Sequence, residues 1–169
     1  MNNKKIIFIC ITIVLIIAVI FLSLSNNNTN KNQSNQIINK KATIKSIKFD
    51  DKKINIYFFW GDGCPHCEEE YEFWDSIIKE YKDKINCIYG MEVWKNKKNA
   101  KSLKEFADFK KEKVKGVPYT IIGDKTFIGF DKSMKKQMKK KIDELYEAGN
   151  NYDIYKEITK ETNDEKKDK

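Results

Sequence analysis

Arginine is absent from this chain of 169 residues, and histidine occurs only once. All 33 basic residues are therefore lysines, interleaved with 25 acidic residues, and the formal net charge is +8. Nucleic-acid binding calls for arginine or for a coherent basic patch with exposed aromatic side chains. The sequence shows neither, so we interpret the lysines as solvated surface and predict no nucleic-acid partner.

Cysteine is also scarce, with four residues in the chain. Cys64 and Cys67 form a Cys-x-x-Cys pair, which can be half of a zinc site only if a second ligand pair follows. The remaining candidates are Cys10 in an apolar run, Cys87 standing alone, and His66 inside the motif itself. A closed four-ligand zinc site cannot be assembled from these residues, so we predict neither a metal nor a cofactor.

One long apolar run lies near the N-terminus, at residues 6–24, and it carries no charge. A helix of this length spans roughly 28 Å, which is enough to cross a bilayer core. Lys4 and Lys5 precede it, and the positive-inside rule then keeps the N-terminus in the cytoplasm. We predict a single-pass anchor in residues 1–25, with a cleaved signal peptide as the alternative. Either way, the rest of the chain lies on an extracytoplasmic face.

Composition divides the remainder of the chain. Residues 26–41 are rich in Asn, Ser and Lys and are predicted to form a flexible linker. Residues 42–149 alternate between strand and helix patterns, and residues 150–169 are predicted to be a polar tail, disordered from 159 onward. The predicted strands are 42–49, 54–60, 85–94 and a hairpin of 117–122 with 125–130. The predicted helices are 64–82, 97–111 and 133–148, with one more amphipathic turn or two at 152–158.

The Cys-x-x-Cys motif follows the apolar run 54–60 and a short Gly-Asp-Gly turn. This context places both sulfurs at the start of a helix, where unpaired N–H groups and the positive dipole end favour an anion. Cys64, the more exposed sulfur, is predicted to be the nucleophile, with a pKa below about 8.5. Cys67 lies one turn further in and is predicted to resolve mixed disulfides.

The two residues between the cysteines are predicted to tune the pair. Pro65 fixes a backbone dihedral near the value that a first helical turn requires. His66 adds a hydrogen-bond donor and, when protonated, a positive charge near the Cys64 thiolate. Stabilising the reduced form in this way makes the disulfide more oxidising.

The motif and two later segments resemble the thioredoxin-like superfamily. The resemblance covers residues 54 to about 148 and is specific at 59–67 (FWGDGCPHC), 116–120 (GVPYT) and 122–130 (IGDKTFIGF). With the N-terminal anchor, the chain is similar to membrane-tethered proteins of Gram-positive bacteria. The CPHC motif is also seen in DsbA-type oxidases, but residues 94–116 hold no helical insertion long enough for a DsbA-type domain. The resemblance implies an α/β fold with a central mixed β-sheet flanked by helices.

The resemblance also implies a substrate site, and this chain departs from the family pattern at one position. Val117 and Pro118 match the family's cis-proline loop, where the backbone edge of Val117 would pair with an extended substrate. Many members carry a buried carboxylate six residues before the first cysteine, but this chain has Phe58 there. The proton acceptor for Cys67 is then water, Asp62, or a group that the sequence does not identify.

These features predict a membrane-anchored, extracytoplasmic thiol–disulfide oxidoreductase acting on protein thiols and disulfides, with a membrane or extracytoplasmic redox partner. One alternative is an accessory module that docks an exported peptide or a transporter. Another is a metallochaperone that holds copper(I) with Cys64, Cys67 and His66, since thiolates suit that soft ion. The direction of electron flow stays open. Cys87, in an apolar strand, is interpreted as a small buried hydrophobe.

Overall fold

The computed structural model describes residues 37–149 and 152–167, together with residues 13, 14, 16 and 17. The chain divides into two compact units, residues 1–35 and 36–169, and the second contains the sheet. The predicted membrane anchor falls almost entirely outside the described residues, so it stays a prediction. Within the part of the chain that is described, no helix combines the length and the apolar character that a bilayer crossing requires.

Five strands of the described chain form one mixed sheet. They are β1 (Ile38–Asn39), β2 (Ile54–Trp60), β3 (Ile85–Glu92), β4 (Tyr119–Ile122) and β5 (Lys125–Ile128), in the order β1-β3-β2-β4-β5. Strands β1, β3 and β2 are parallel, whereas β4 is antiparallel to β2 and β5 is antiparallel to β4. Strand β2 is buried along almost its whole length because it lies at the centre with both faces covered.

Helices cover both faces of the sheet. They are α1 (Pro65–Tyr81), α2 (Lys97–Phe109), α3 (Lys132–Glu147) and α4 (Ile154–Lys167). Alternate residues of β2 point to opposite faces: Ile56 and Phe58 pack with α1 and α3, whereas Tyr57 and Phe59 pack with α2 and α4. The strand order, the closing hairpin and the flanking helices together make a thioredoxin-like α/β fold, as the resemblance implies.

The edge strand predicted for residues 42–49 is wrong. The edge strand beside β3 is instead β1, which lies inside the segment predicted to be a linker. Residues 44–46 instead form a short 3-10 helix. Its ends are held by Ser46, whose Oγ donates to the Thr43 carbonyl oxygen at 2.7 Å and accepts from the Thr43 N–H at 3.0 Å. These local hydrogen bonds compete with strand pairing.

The C-terminal segment also differs from its prediction: the amphipathic turn or two predicted at 152–158 belongs to a helix over Ile154–Lys167, which continues through residues predicted to be disordered from 159 onward. Asp153 accepts hydrogen bonds from the N–H groups of Tyr155 and Lys156 and so caps helix α4. The same carboxylate accepts from Tyr57 Oη at 2.7 Å and from Asn55 Nδ2 at 2.9 Å. One buried aspartate therefore fixes the start of α4 and ties it to the central strand.

Candidate active site

Cys64 and Cys67 lie at the junction between strand β2 and helix α1. The turn between them and the strand contains Gly63, whose φ of 80° favours glycine. Cys64 has extended backbone angles and is the N-cap residue of α1, and Pro65 occupies the first helical turn, as predicted. A disulfide joins Cys64 to Cys67, with their Cα atoms 5.3 Å apart.

The two sulfur atoms have different surroundings. Cys64 is 5% exposed and Cys67 is fully buried, in the order that the sequence predicts. The Cys67 N–H lies 3.3 Å from Cys64 Sγ and donates to it. A thiolate formed at Cys64 would thus receive a hydrogen bond from the first turn of α1 in addition to the field of the helix N-terminus.

The segment opposite the disulfide is the Val117–Pro118 loop, and its peptide bond is cis, as the resemblance implies. Cys64 Sγ lies 3.8 Å from the Val117 carbonyl oxygen. The Pro118 carbonyl oxygen accepts from the Gly129 N–H at 2.8 Å, which fixes the loop to the end of the hairpin. Within the described chain, Val117 forms no backbone hydrogen bond, so its N–H and carbonyl oxygen remain free to pair with an extended peptide.

His66 lies on the surface of the first turn of α1, with its side chain 66% exposed. Its Nδ1 is 3.4 Å from Glu69 Oε2, one turn along the helix. The charged group beside the imidazole is therefore the carboxylate of Glu69.

Neither the strand position that carries a carboxylate in many family members nor Asp62 provides a buried carboxylate here. Phe58 is fully buried and packs edge-to-face on Tyr71, with ring centroids 4.7 Å apart. Asp62 is half exposed and pairs with Lys95 at the surface.

A buried carboxylate is nevertheless present, and it comes from helix α1. Glu70 is fully buried, and its Oε1 accepts from Thr120 Oγ1 at 2.6 Å and from Trp74 Nε1 at 3.1 Å. Its Oε2 is buried and has no hydrogen-bond partner among the described residues. Burial raises the pKa of Glu70 to about 8, although both hydrogen bonds oppose that shift.

The sequence contained a signal for Glu70 that our prediction missed. Helical spacing puts five large side chains on one apolar face of α1, namely Tyr71, Trp74, Ile77, Ile78 and Tyr81. Helical spacing places Glu70, four residues before Trp74, on that same face. A lone acid on an otherwise apolar helix face is unusual, because burying a carboxylate is costly unless it is paired or protonated.

The other described cysteine takes no part in this site. Cys87 is buried as predicted, and it packs in the core on the α2 face of the sheet, whereas Cys64 and Cys67 lie in the core on the α1 face. Burial raises the pKa of the Cys87 thiol to about 11. In the described part of the chain, no group of three or more His, Cys, Asp or Glu residues is placed to hold a metal ion.

The fold and the site together define a thioredoxin-like domain with a Cys-x-x-Cys pair beside a cis-proline loop. No protein-family model and no curated protein matches the chain. One similar solved structure is an uncharacterized thioredoxin-like protein from Clostridium perfringens, with a TM-score of 0.44 and 19% identity, covering 63% of this chain and 82% of that one. Another is the glutaredoxin Grx-1 from Archaeoglobus fulgidus, with a TM-score of 0.32 and 21% identity, covering 52% and 85%.

Proposed function

We propose that this chain is a thiol–disulfide oxidoreductase that exchanges disulfides with protein substrates through Cys64 and Cys67. The observation that carries this proposal is the disulfide at the start of helix α1, with Cys64 Sγ 3.8 Å from the Val117 carbonyl oxygen. A helix N-terminus stabilises the thiolate that exchange requires. A neighbouring segment with unpaired backbone groups can hold a peptide beside that sulfur.

In the oxidising direction, a substrate thiolate attacks Cys64 Sγ. A bond forms between the substrate sulfur and Cys64, the Cys64–Cys67 bond breaks, and its electron pair leaves on Cys67. A second substrate thiolate then attacks the substrate sulfur of this mixed disulfide and releases Cys64 as a thiolate. The substrate loses two electrons and the protein pair gains them. The reducing direction is the same sequence in reverse.

Val117 gives this exchange a docking position. An extended substrate segment that hydrogen-bonds to the Val117 N–H and carbonyl oxygen would lie alongside Cys64 Sγ. Main-chain pairing of this kind is independent of the substrate's side chains. A broad range of cysteine-containing segments would therefore be accepted, which suits exchange with unfolded or partly folded proteins.

The direct test is exchange by the purified protein in both directions. The oxidised protein is mixed with a reduced, unfolded protein that contains cysteines, and the reduced protein is mixed with insulin. We expect exchange in at least one direction, and the same rate in a Cys87→Ala control, because Cys87 lies in the other core. If neither direction shows exchange above the uncatalysed rate, the accessory-module alternative would replace this proposal.

His66 bears on the direction of electron flow. A positive charge beside the Cys64 thiolate stabilises the reduced form, so His66→Leu is expected to lower the reduction potential of the pair. The loss of about 1.4 kcal/mol corresponds to about 30 mV for a two-electron couple. Redox titration of the two proteins side by side measures this shift, with Glu68→Gln as a control at an exposed position of the same helix turn. An unchanged potential would remove the argument for an oxidase.

The proposal places the domain outside the cell, tethered by residues 6–24, where disulfides persist. Its support is the uncharged apolar run behind Lys4 and Lys5. Protease added to intact protoplasts should remove the domain while the anchor stays in the membrane. Protection of the domain would contradict this orientation, and its release without protease would show that the N-terminal segment is cleaved.

A further inference from the structure

We propose that Glu70, on helix α1, donates a proton to Cys67 and accepts one from it. The central strand of this fold has Phe58 at the position where many family members have a carboxylate. This inference rests on the proposed thiol–disulfide exchange and assigns a role to a buried acid that the exchange reaction described above does not yet use.

The spacing along α1 places Glu70 next to Cys67. Residues three apart on a helix are neighbours on one face, with Cβ atoms about 5–6 Å apart. Cys67 and Glu70 are both fully buried on the face that packs against the sheet. The sheet partner of Glu70 is Thr120, which lies directly opposite Phe58 in the pairing of β4 with β2. The carboxyl group of Glu70 thus lies between helix α1 and the sheet, on the same helix face as Cys67 and one turn along from it.

The hydrogen bonds of Glu70 determine where its proton resides. Oε1 accepts from both Thr120 Oγ1 and Trp74 Nε1, so the hydrogen of the protonated acid belongs on Oε2. Oε2 is the oxygen without a partner among the described residues. A protonated carboxyl group with hydrogen bonds to only one oxygen has an O–H on the other oxygen that is available for proton transfer. A carboxyl group with a purely structural role would be expected to form hydrogen bonds through both oxygens.

The surroundings of Glu70 keep this proton available near neutral pH. Its hydrogen-bond partners are Thr120 and Trp74, and the core on this face of the sheet includes Phe58, Met138 and Ile142, so none of these side chains ionises in this range. Tyr71 of α1 interacts electrostatically with Glu70, and burial holds the pKa of Tyr71 above its usual range. Lys40 lies 4.7 Å from the centroid of the Tyr71 ring. With a pKa of about 8, Glu70 is close in acidity to a thiol of about 8.5 and can exchange a proton with it in either direction.

The proton then balances the exchange reaction. When a substrate thiolate attacks Cys64 Sγ and the Cys64–Cys67 bond breaks, Cys67 leaves with the electron pair and takes the Oε2 proton of Glu70. The Glu70 carboxylate that results is stabilised by Thr120 and Trp74. In the reverse direction, this carboxylate removes the proton from the Cys67 thiol, and the Cys67 thiolate attacks Cys64 Sγ of the mixed disulfide and expels the substrate thiolate.

The test is the pH dependence of the first step. The oxidised full-length protein is reduced by excess dithiothreitol, and tryptophan fluorescence is followed by stopped flow between pH 6 and pH 10. The rate is divided by the thiolate concentration of the reagent. For the wild type we expect this normalised rate to fall above about pH 8, where Glu70 has lost its proton. For Glu70→Gln we expect a rate at pH 7 at least about tenfold lower and no inflection near pH 8.

Two further variants separate this role from a structural one. Glu68→Gln changes an exposed acid of the same helix turn and should behave as the wild type. Thr120→Val removes a hydrogen bond that stabilises the ionised form of Glu70, so it should move the inflection to higher pH. General loosening of the core would not produce that upward shift.

The outcomes are distinct. If the wild type exchanges but Glu70→Gln keeps the wild-type rate and inflection, the proton-transfer role is wrong and the proposed function stands. If the Thr120→Val inflection does not move while Glu70→Gln is slow, Glu70 acts through packing and the role is also overturned. A wild type that fails to exchange would overturn the proposed function and the role of Glu70 with it.

Discussion

Replacement of Cys64 with serine is expected to reduce disulfide exchange to the uncatalysed rate, whereas replacement of Cys67 is expected to trap substrates as stable mixed disulfides. Cys64 is the more exposed sulfur and lies beside Val117, so an incoming thiolate reaches it first. A hydroxyl at position 64 cannot form the intermediate. With serine at position 67, the intermediate forms but no internal thiolate can resolve it.

The measurement is non-reducing electrophoresis and mass spectrometry of each variant after incubation with a substrate protein. Cys67→Ser should migrate as a covalent complex that a reductant releases, and Cys64→Ser should not. Brief alkylation of the reduced wild type should modify Cys64 before Cys67. Cys87→Ser is the matched control, because Cys87 is buried on the other face of the sheet. Faster alkylation of Cys67 would contradict the assigned roles.

The central strands and the helices beside them could be predicted from the sequence because their patterns are local. The apolar run 54–60 matches β2, since a central parallel strand buried on both faces needs apolar residues at nearly every position. The motif itself marks the start of α1, because Pro65 suits a first helical turn and Cys64 suits the extended N-cap. The position of the disulfide follows from these two elements alone.

The features that were predicted wrongly depend on partners far away in the sequence. Helix α4 begins at a cap whose carboxylate also binds Asn55 and Tyr57, 98 and 96 residues earlier. Tyr155 stacks on Phe106 of α2, with ring centroids 5.9 Å apart. The amphipathic pattern at 152–158 is long enough to predict only a turn or two, and the polar residues from 159 onward give no sign that the helix continues. Strand β1 has only two residues, which is too short for an alternating pattern to identify.

The sequence-based prediction missed Glu70 for a different reason. Its helical spacing is present in the sequence, but the family pattern predicts a carboxylate on the strand, where this chain has Phe58. The sheet brings the two positions together, because Thr120 pairs with Phe58 across β4 and β2 and donates a hydrogen bond to the carboxyl group of Glu70 on α1. An acid on a neighbouring element can thus reach the same layer of the core.

Burial of Glu70 should lower the stability of the fold at neutral pH. Its pKa of about 8 in the folded protein exceeds the unfolded value of about 4.3, so between these pH values the folded state holds a proton that the unfolded state has released. As the pH rises between these two pKa values, the free energy of unfolding therefore falls by about 1.4 kcal/mol for each pH unit. Glutamine has no proton to lose, so Glu70→Gln should be more stable than the wild type by roughly 3 kcal/mol at pH 7.

Urea unfolding of the oxidised proteins between pH 4 and pH 9 measures this effect as a difference between variant and wild type. The difference should be near zero at pH 4, grow with pH, and level off above about pH 8. Glu68→Gln should follow the wild type throughout, since that side chain is exposed. Parallel curves for Glu70→Gln and the wild type would show that Glu70 is ionised in the folded protein at neutral pH. Burial raises the pKa of Glu70 and also destabilises the fold. If the buried acid serves proton transfer, Glu70→Gln should therefore gain stability and lose exchange activity.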